Sequence, residues 1–146
     1  VQVKRVTNLY SSIDRDGTAE NAEMELMQWP HYWRMSRAQS YSLQSPKFDD
    51  MPKAPAVGNR TEDNIVDTLD AQKWVSVVKA IIEDMKQTND RYSKILRLRY
   101  ITGLDNDVVQ ERIGVGKSQY FEDKKDALVA FAEMFPPHPN RLVVRR

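Results

Sequence analysis

Lys117, Ser118, Gln119 and Glu122 stand directly behind a glycine-bounded turn, Gly114-Val115-Gly116. Their side chains are of the kind that address the edges of paired bases. A lysine ammonium can meet guanine or a phosphate, a glutamine amide can pair with adenine, and a glutamate can accept from the cytosine amino group. Lys124 and Lys125 follow about one turn later, where backbone phosphates are the expected target. Phe121 has two readings, a ring packed beneath the preceding helix or an apolar contact to a thymine methyl. Packing is preferred, and the base contact is kept as a second role.

Other chemistry-bearing residues form no comparable set. Asp49-Asp50 is a pair beside a proline-rich stretch, and Asp105 and Asp107 suit a helix start. Neither pair has a histidine or third carboxylate at metal-ligand spacing. His31 sits beside aromatic residues and His138 among prolines, so a packed or solvated ring is expected in place of a ligand or base. Five glycines are present, and none belongs to a phosphate-binding loop. The expectation is a protein that is not an enzyme, with no cofactor and no metal.

The elements around the turn must hold the reading residues in place. Thr88-Asn89-Asp90 offers stop and cap chemistry, and Tyr92, Ile95, Leu96, Arg99 and Tyr100 recur at helical spacing up to Ile101. Gly103 suits a left-handed residue after that helix. Asp105 can cap a short helix carrying Val108, Val109 and Ile113, with Leu104 and Val109 as a hydrophobic staple. That helix stops at Gly114, and the last one runs from Lys117 to about Phe135 before Pro136-Pro137. A helix-turn-helix needs apolar residues on both helices to lock their crossing, and Val109, Ile113, Val115 and Tyr120 can supply them.

Upstream, Asp14-Arg15-Asp16-Gly17 reads as a turn, with Thr18 capping a helix towards Trp29. Pro30 disfavours helix at Trp29 and suits the first turn of a new one. Residues 45–59 contain Pro46, Pro52, Pro55 and Gly58, the composition of a linker. Asn59, three residues before Glu62, can cap a long helix over about 60–87. Ile65, Leu69, Trp74, Val77, Val78, Ile81 and Met85 give that helix its apolar stripe. The expected organisation is an N-terminal helical region (1–44), a proline-rich linker (45–59), the long helix with the helix-turn-helix (60–135), and a tail (136–146). The fold class is all-α.

The net charge of +1 hides an asymmetry. Residues 1–85 hold 10 Lys or Arg against 13 Asp or Glu, a balance of −3. Residues 86–146 hold 12 against 8, a balance of +4. The basic half is the one expected to meet a polyanion. No apolar run approaches the roughly 18 residues of a membrane helix, and no signal-peptide pattern opens the chain. With no cysteine, a cytoplasmic location is expected.

The run Tyr92-Ser93-Lys94-Ile95-Leu96-Arg97-Leu98-Arg99-Tyr100, with Gly103-Leu104 and Ile113-Gly114-Val115, resembles the fourth region of bacterial sigma factors, which reads the −35 promoter element. A second likeness covers most of the chain. Trp29-Pro30, Arg34-Met35, the stretch from Ser45 to Pro55, Gly58-Asn59, Ile95-Leu96, Arg99-Tyr100-Ile101 and Tyr120-Phe121 are similar to phage regulators of the ArpU family, related to RinA-type activators. So are Lys124-Lys125, Ala127-Leu128 and Phe131-Ala132. The resemblance implies a transcriptional activator of phage or prophage late genes, such as packaging and lysis genes, acting in a bacterial host. By analogy with sigma region four, Lys117, Ser118, Phe121 and Glu122 face the major groove. Gly116 stands where sigma-like domains often have Ser or Thr. Expected partners are a double-stranded promoter or operator and, as candidates, RNA polymerase and a second copy of the chain. The alternatives are a polymerase-binding interaction module and a DNA-binding component of a packaging complex.

Overall fold

A computed structural model describes residues 12–43, 57–136 and 141–145, with side chains for 12–38, 69–136 and 141–145. The stretch from Ser45 to Pro55, and with it most of the expected linker, lies outside the described residues, as does His138. In chain order the helices are α1 (Arg15–Leu26), α2 (Trp29–Leu43), α3 (Val57–Thr88) and α4 (Asp90–Leu96), which passes into a π-helical segment (Arg97–Ile101). Then come α5 (Asn106–Ile113) and α6 (Lys117–Met134). The class is all-α. Among the described residues the β pairing is a single bridge between Ile13 and Arg145.

α1 begins four residues earlier than Thr18 capping implied, with Asp14 as its cap. The Asp14 carboxylate accepts from the Gly17 amide at 3.1 Å, satisfying an otherwise unpaired donor of the first turn. Gly17 allows this closeness, because a Cβ there would lie 2.7 Å from Asp14 Oδ2. Thr18 is thereby released from capping. It is buried, and its hydroxyl accepts from the Val144 amide at 2.9 Å. α2 starts on Trp29, one residue before Pro30, a first-turn place where a missing N–H costs no intrahelical bond. α3 starts at Val57, so Asn59 lies inside the helix and not at its cap. Its far end, Thr88, matches the expected stop to within a residue.

The contacts group the chain into two compact units, the described parts of 1–27 with 79–146, and residues 28–78. In the unit 28–78, Tyr32 stacks on Trp74 with ring centroids 4.4 Å apart, and Trp29 lies 6.0 Å from Trp74. Gln72 Nε2 donates to the Ser36 carbonyl at 3.2 Å, tying α3 to α2.

In the other unit, α1 packs along α6. The buried interior includes Ala22, Leu26, Leu96, Ala127, Leu128 and Phe131. The C-terminal segment clasps α1. The Asp14 amide donates to the Val144 carbonyl at 2.8 Å and Asn21 Nδ2 to the Leu142 carbonyl at 3.3 Å. Arg141 pairs with Glu25 at 2.7 Å, and Leu142 is buried. The Asp14 and Asn21 bonds satisfy polar groups within this contact, whereas the Arg141 pair lies at its exposed edge.

Candidate nucleic-acid interface

The expected lock between helices is present. Ile95 of α4, Val109 of α5 and Tyr120 of α6 form a buried cluster, with Leu98, Leu104, Ile113 and Val115 packed against it. Local backbone chemistry sets the crossings. Asn89 caps α4, its side chain accepting from the Tyr92 amide at 3.2 Å. Gly103 at φ 84° and Gly114 at φ 81° take left-handed conformations that side chains disfavour. Gln110 Nε2 donates to the Val115 carbonyl at 3.3 Å, bracing the three-residue turn.

A polar tie reinforces the apolar one. The Tyr120 hydroxyl donates to Asn106 Oδ1 at 2.8 Å, and Arg99 Nε donates to the same oxygen at 3.2 Å. Asn106 therefore joins the start of α5 to α6 and to the π-helical segment. Burial pushes the Tyr120 phenol up to about 12 despite the opposing charge of Arg99.

Lys117, Ser118, Gln119 and Glu122 are all exposed. Gln119 Nε2 donates to Asp123 Oδ1 at 2.8 Å, and Glu122 lies 4.0 Å from Arg15. Phe121 is 40% exposed, with its ring edge-on to Tyr120 at 5.1 Å. It is only partly packed, and its exposed face remains open to a partner.

Lys124 differs from the phosphate-facing residue expected. It is 8% exposed, and its ammonium lies 2.9 Å from Glu23 Oε2 and about 6 Å from the rings of Tyr100 and Phe121. A cation held by a carboxylate and two aromatic faces is a packing residue here, not a surface charge. Lys125 is partly exposed and pairs with Asp16 at 2.8 Å. The Asp16 hydrogen bond and charge raise its pKa. Burial acts to raise the Glu23 carboxyl, but hydrogen bonds from Tyr100 and Lys124, with the charges of Lys124 and Arg99, outweigh it and leave Glu23 below its ordinary value. Burial and the Glu23 hydrogen bond together push the Tyr100 phenol far up.

Sequence reasoning missed the α1 contribution. Asp16 and Glu23 are seven residues apart, hence on one helical face, and that spacing is the signal that could have matched them to Lys124-Lys125. It also missed Asp123, which is buried between Gln119 and Arg91, the latter donating to its Oδ2 at 3.0 Å. Among the described residues, no three His, Asp or Glu side chains gather as a metal site, and no helix is long and apolar enough to cross a membrane.

Compared with known proteins, the chain is 26% identical over 129 residues to an Enterococcus hirae protein described as the autolysin regulatory protein ArpU. The match covers 87% of this chain and 92% of the relative. No family model and no solved structure matches the chain. The likeness to a regulatory protein thus spans both compact units.

Proposed function

We propose that this chain is a sequence-specific DNA-binding regulator of transcription that lays the first two turns of α6 in the major groove. Within that reading it activates phage or prophage late genes. The observation that carries it is the exposure of Lys117, Ser118, Gln119 and Glu122 behind a rigid three-residue turn, on a helix braced by α4 and α5. Precise base reading requires such a rigid platform. Similarity along most of the chain to a protein described as regulatory supports the class of function. Lys117 and Lys125 are the cations placed to meet phosphates, and Lys124 stays with Glu23.

The test is a titration against promoter fragments from the gene's own neighbourhood, at two salt concentrations, with scrambled duplex as control. One fragment should be bound tightly and keep its advantage at the higher salt. Changing Gln119→Ala should relax base preference, whereas Lys125→Ala should weaken binding to all duplexes alike and lower the salt dependence by about one phosphate contact. If both variants match the parent on specific and random DNA, the surface is misassigned.

A second reading, docking on RNA polymerase, is favoured by one observation. A groove lined by Lys79, Ala80, Ile82, Glu83, Arg97 and Ile101 lies between the end of α3 and the π-helical segment. It offers an apolar floor with a charged rim, the character of a protein-docking site. Capture of polymerase without promoter DNA, together with negligible affinity for free DNA, would favour this reading over the first.

A further inference from the structure

Among the four exposed polar residues at the start of α6, Gln119 has its side chain anchored within its own helix. Nε2 donates to Asp123 Oδ1 at 2.8 Å. Because a carboxylate only accepts, the amino end of the amide must face it, and this selects one of the two amide orientations. Asp123 is itself constrained. It is 6% exposed, and its second oxygen takes the Arg91 guanidinium at 3.0 Å. Arg91 belongs to α4, so the chain of contacts runs from the supporting helix through a buried carboxylate to an exposed amide.

This arrangement leaves a defined set of groups on Gln119. One amide hydrogen is committed to Asp123, and the other hydrogen and the carbonyl oxygen remain. Adenine presents an acceptor at N7 and a donor at N6 in the major groove, which complements one donor and one acceptor. Guanine presents two acceptors, so one would oppose the amide oxygen. Cytosine offers only a donor. The loss of rotamer freedom is incurred on folding, before any duplex arrives.

We propose that Asp123 is a specificity-positioning residue, holding Gln119 in the single amide orientation that reads adenine, with Arg91 as its anchor. This rests on the DNA-reading role argued above. Asp123 itself touches no base. Its effect passes entirely through Gln119.

The test starts with selection of preferred sites from a randomised duplex pool by the intact protein, followed by affinities for all four bases at each position. The parent should prefer adenine at one position, and Gln119→Ala should abolish that preference. Asp123→Asn should reduce the preference roughly tenfold, since an asparagine amino group would draw the Gln119 oxygen inward. Preferences elsewhere and the salt slope should not change. Adding Asp123→Asn to Gln119→Ala should alter nothing further, which a merely structural carboxylate would not produce. Arg91→Ala, at a half-exposed residue, should act in the same direction with a smaller loss, and it carries the test if Asp123→Asn fails to fold.

An unchanged adenine preference in folded Asp123→Asn, or a parent preference for another base at the Gln119-dependent position, overturns the positioning role while leaving DNA recognition intact. A parent that selects no sequence at all overturns both.

Discussion

The Lys124 ammonium lies 2.9 Å from Glu23 Oε2, and the Tyr100 hydroxyl donates to the same oxygen at 2.5 Å. One carboxylate thus binds the first helix to the last and to the π-helical segment. Glu23 is the hinge of the electrostatic design, because each of the three groups would be costly to bury alone.

Glu23→Gln should therefore destabilise the fold by about 1–2 kcal/mol at neutral pH, a hydrogen-bonded charge partly screened by solvent. The pH dependence has a definite sign. The folded carboxyl titrates below its ordinary 4.5, so its contribution is complete above that value and is lost as pH falls through the folded pKa. Thermal melts of parent and variant should converge on acidification below about pH 4.5. A gap that persists undiminished well below that point would show that shape, not charge, carries the effect.

Tyr120→Phe removes the hydroxyl that donates to Asn106 at 2.8 Å while keeping the buried ring. Urea denaturation should show a loss of about 1 kcal/mol. In the parent, the phenol is neutral in the fold up to about 12. Stability from keeping it neutral is full below the unfolded value of roughly 10 and is lost as pH rises through the folded one. Ultraviolet titration should show this phenol ionising late or together with alkaline unfolding. Ionisation near pH 10 in a still-folded protein would contradict the burial.

The two turn glycines should respond differently. At Gly114, φ is 81° and an added Cβ would meet nothing within 4 Å, so the cost of Gly114→Ala is purely backbone, about 1–2 kcal/mol. Gly116 is extended, with open space around it and no side chain to cap α6. Gly116→Ser should instead stabilise the fold slightly, by about a few tenths of a kcal/mol, and so raise the midpoint. Melting curves of the two single variants check both signs.

Much of the fold follows from local rules. The end of α3, the Asn89 cap, the left-handed Gly103 and Gly114, and the start of α6 at Lys117 all depend on residues within a few positions of one another. The cluster of Val109, Ile113, Val115 and Tyr120 was legible for the same reason, since helical period decides which side chains share a face. The start of α1 was not. Asp14 and Thr18 are both good caps, and what separates them is Val144, far along the chain, whose amide donates to the Thr18 hydroxyl.

The sequence by itself determined an all-α chain whose last helix opens with a polar run, Lys117-Ser118-Gln119, because propensity, capping and periodicity act over a turn or two. Only tertiary structure decided which charges remain available. Lys124 and Lys125 are adjacent and chemically identical, yet Glu23 and two aromatic rings bury the first, while Asp16 leaves the second partly exposed. Burial depends on what another helix brings to the same place, and composition carries no record of that.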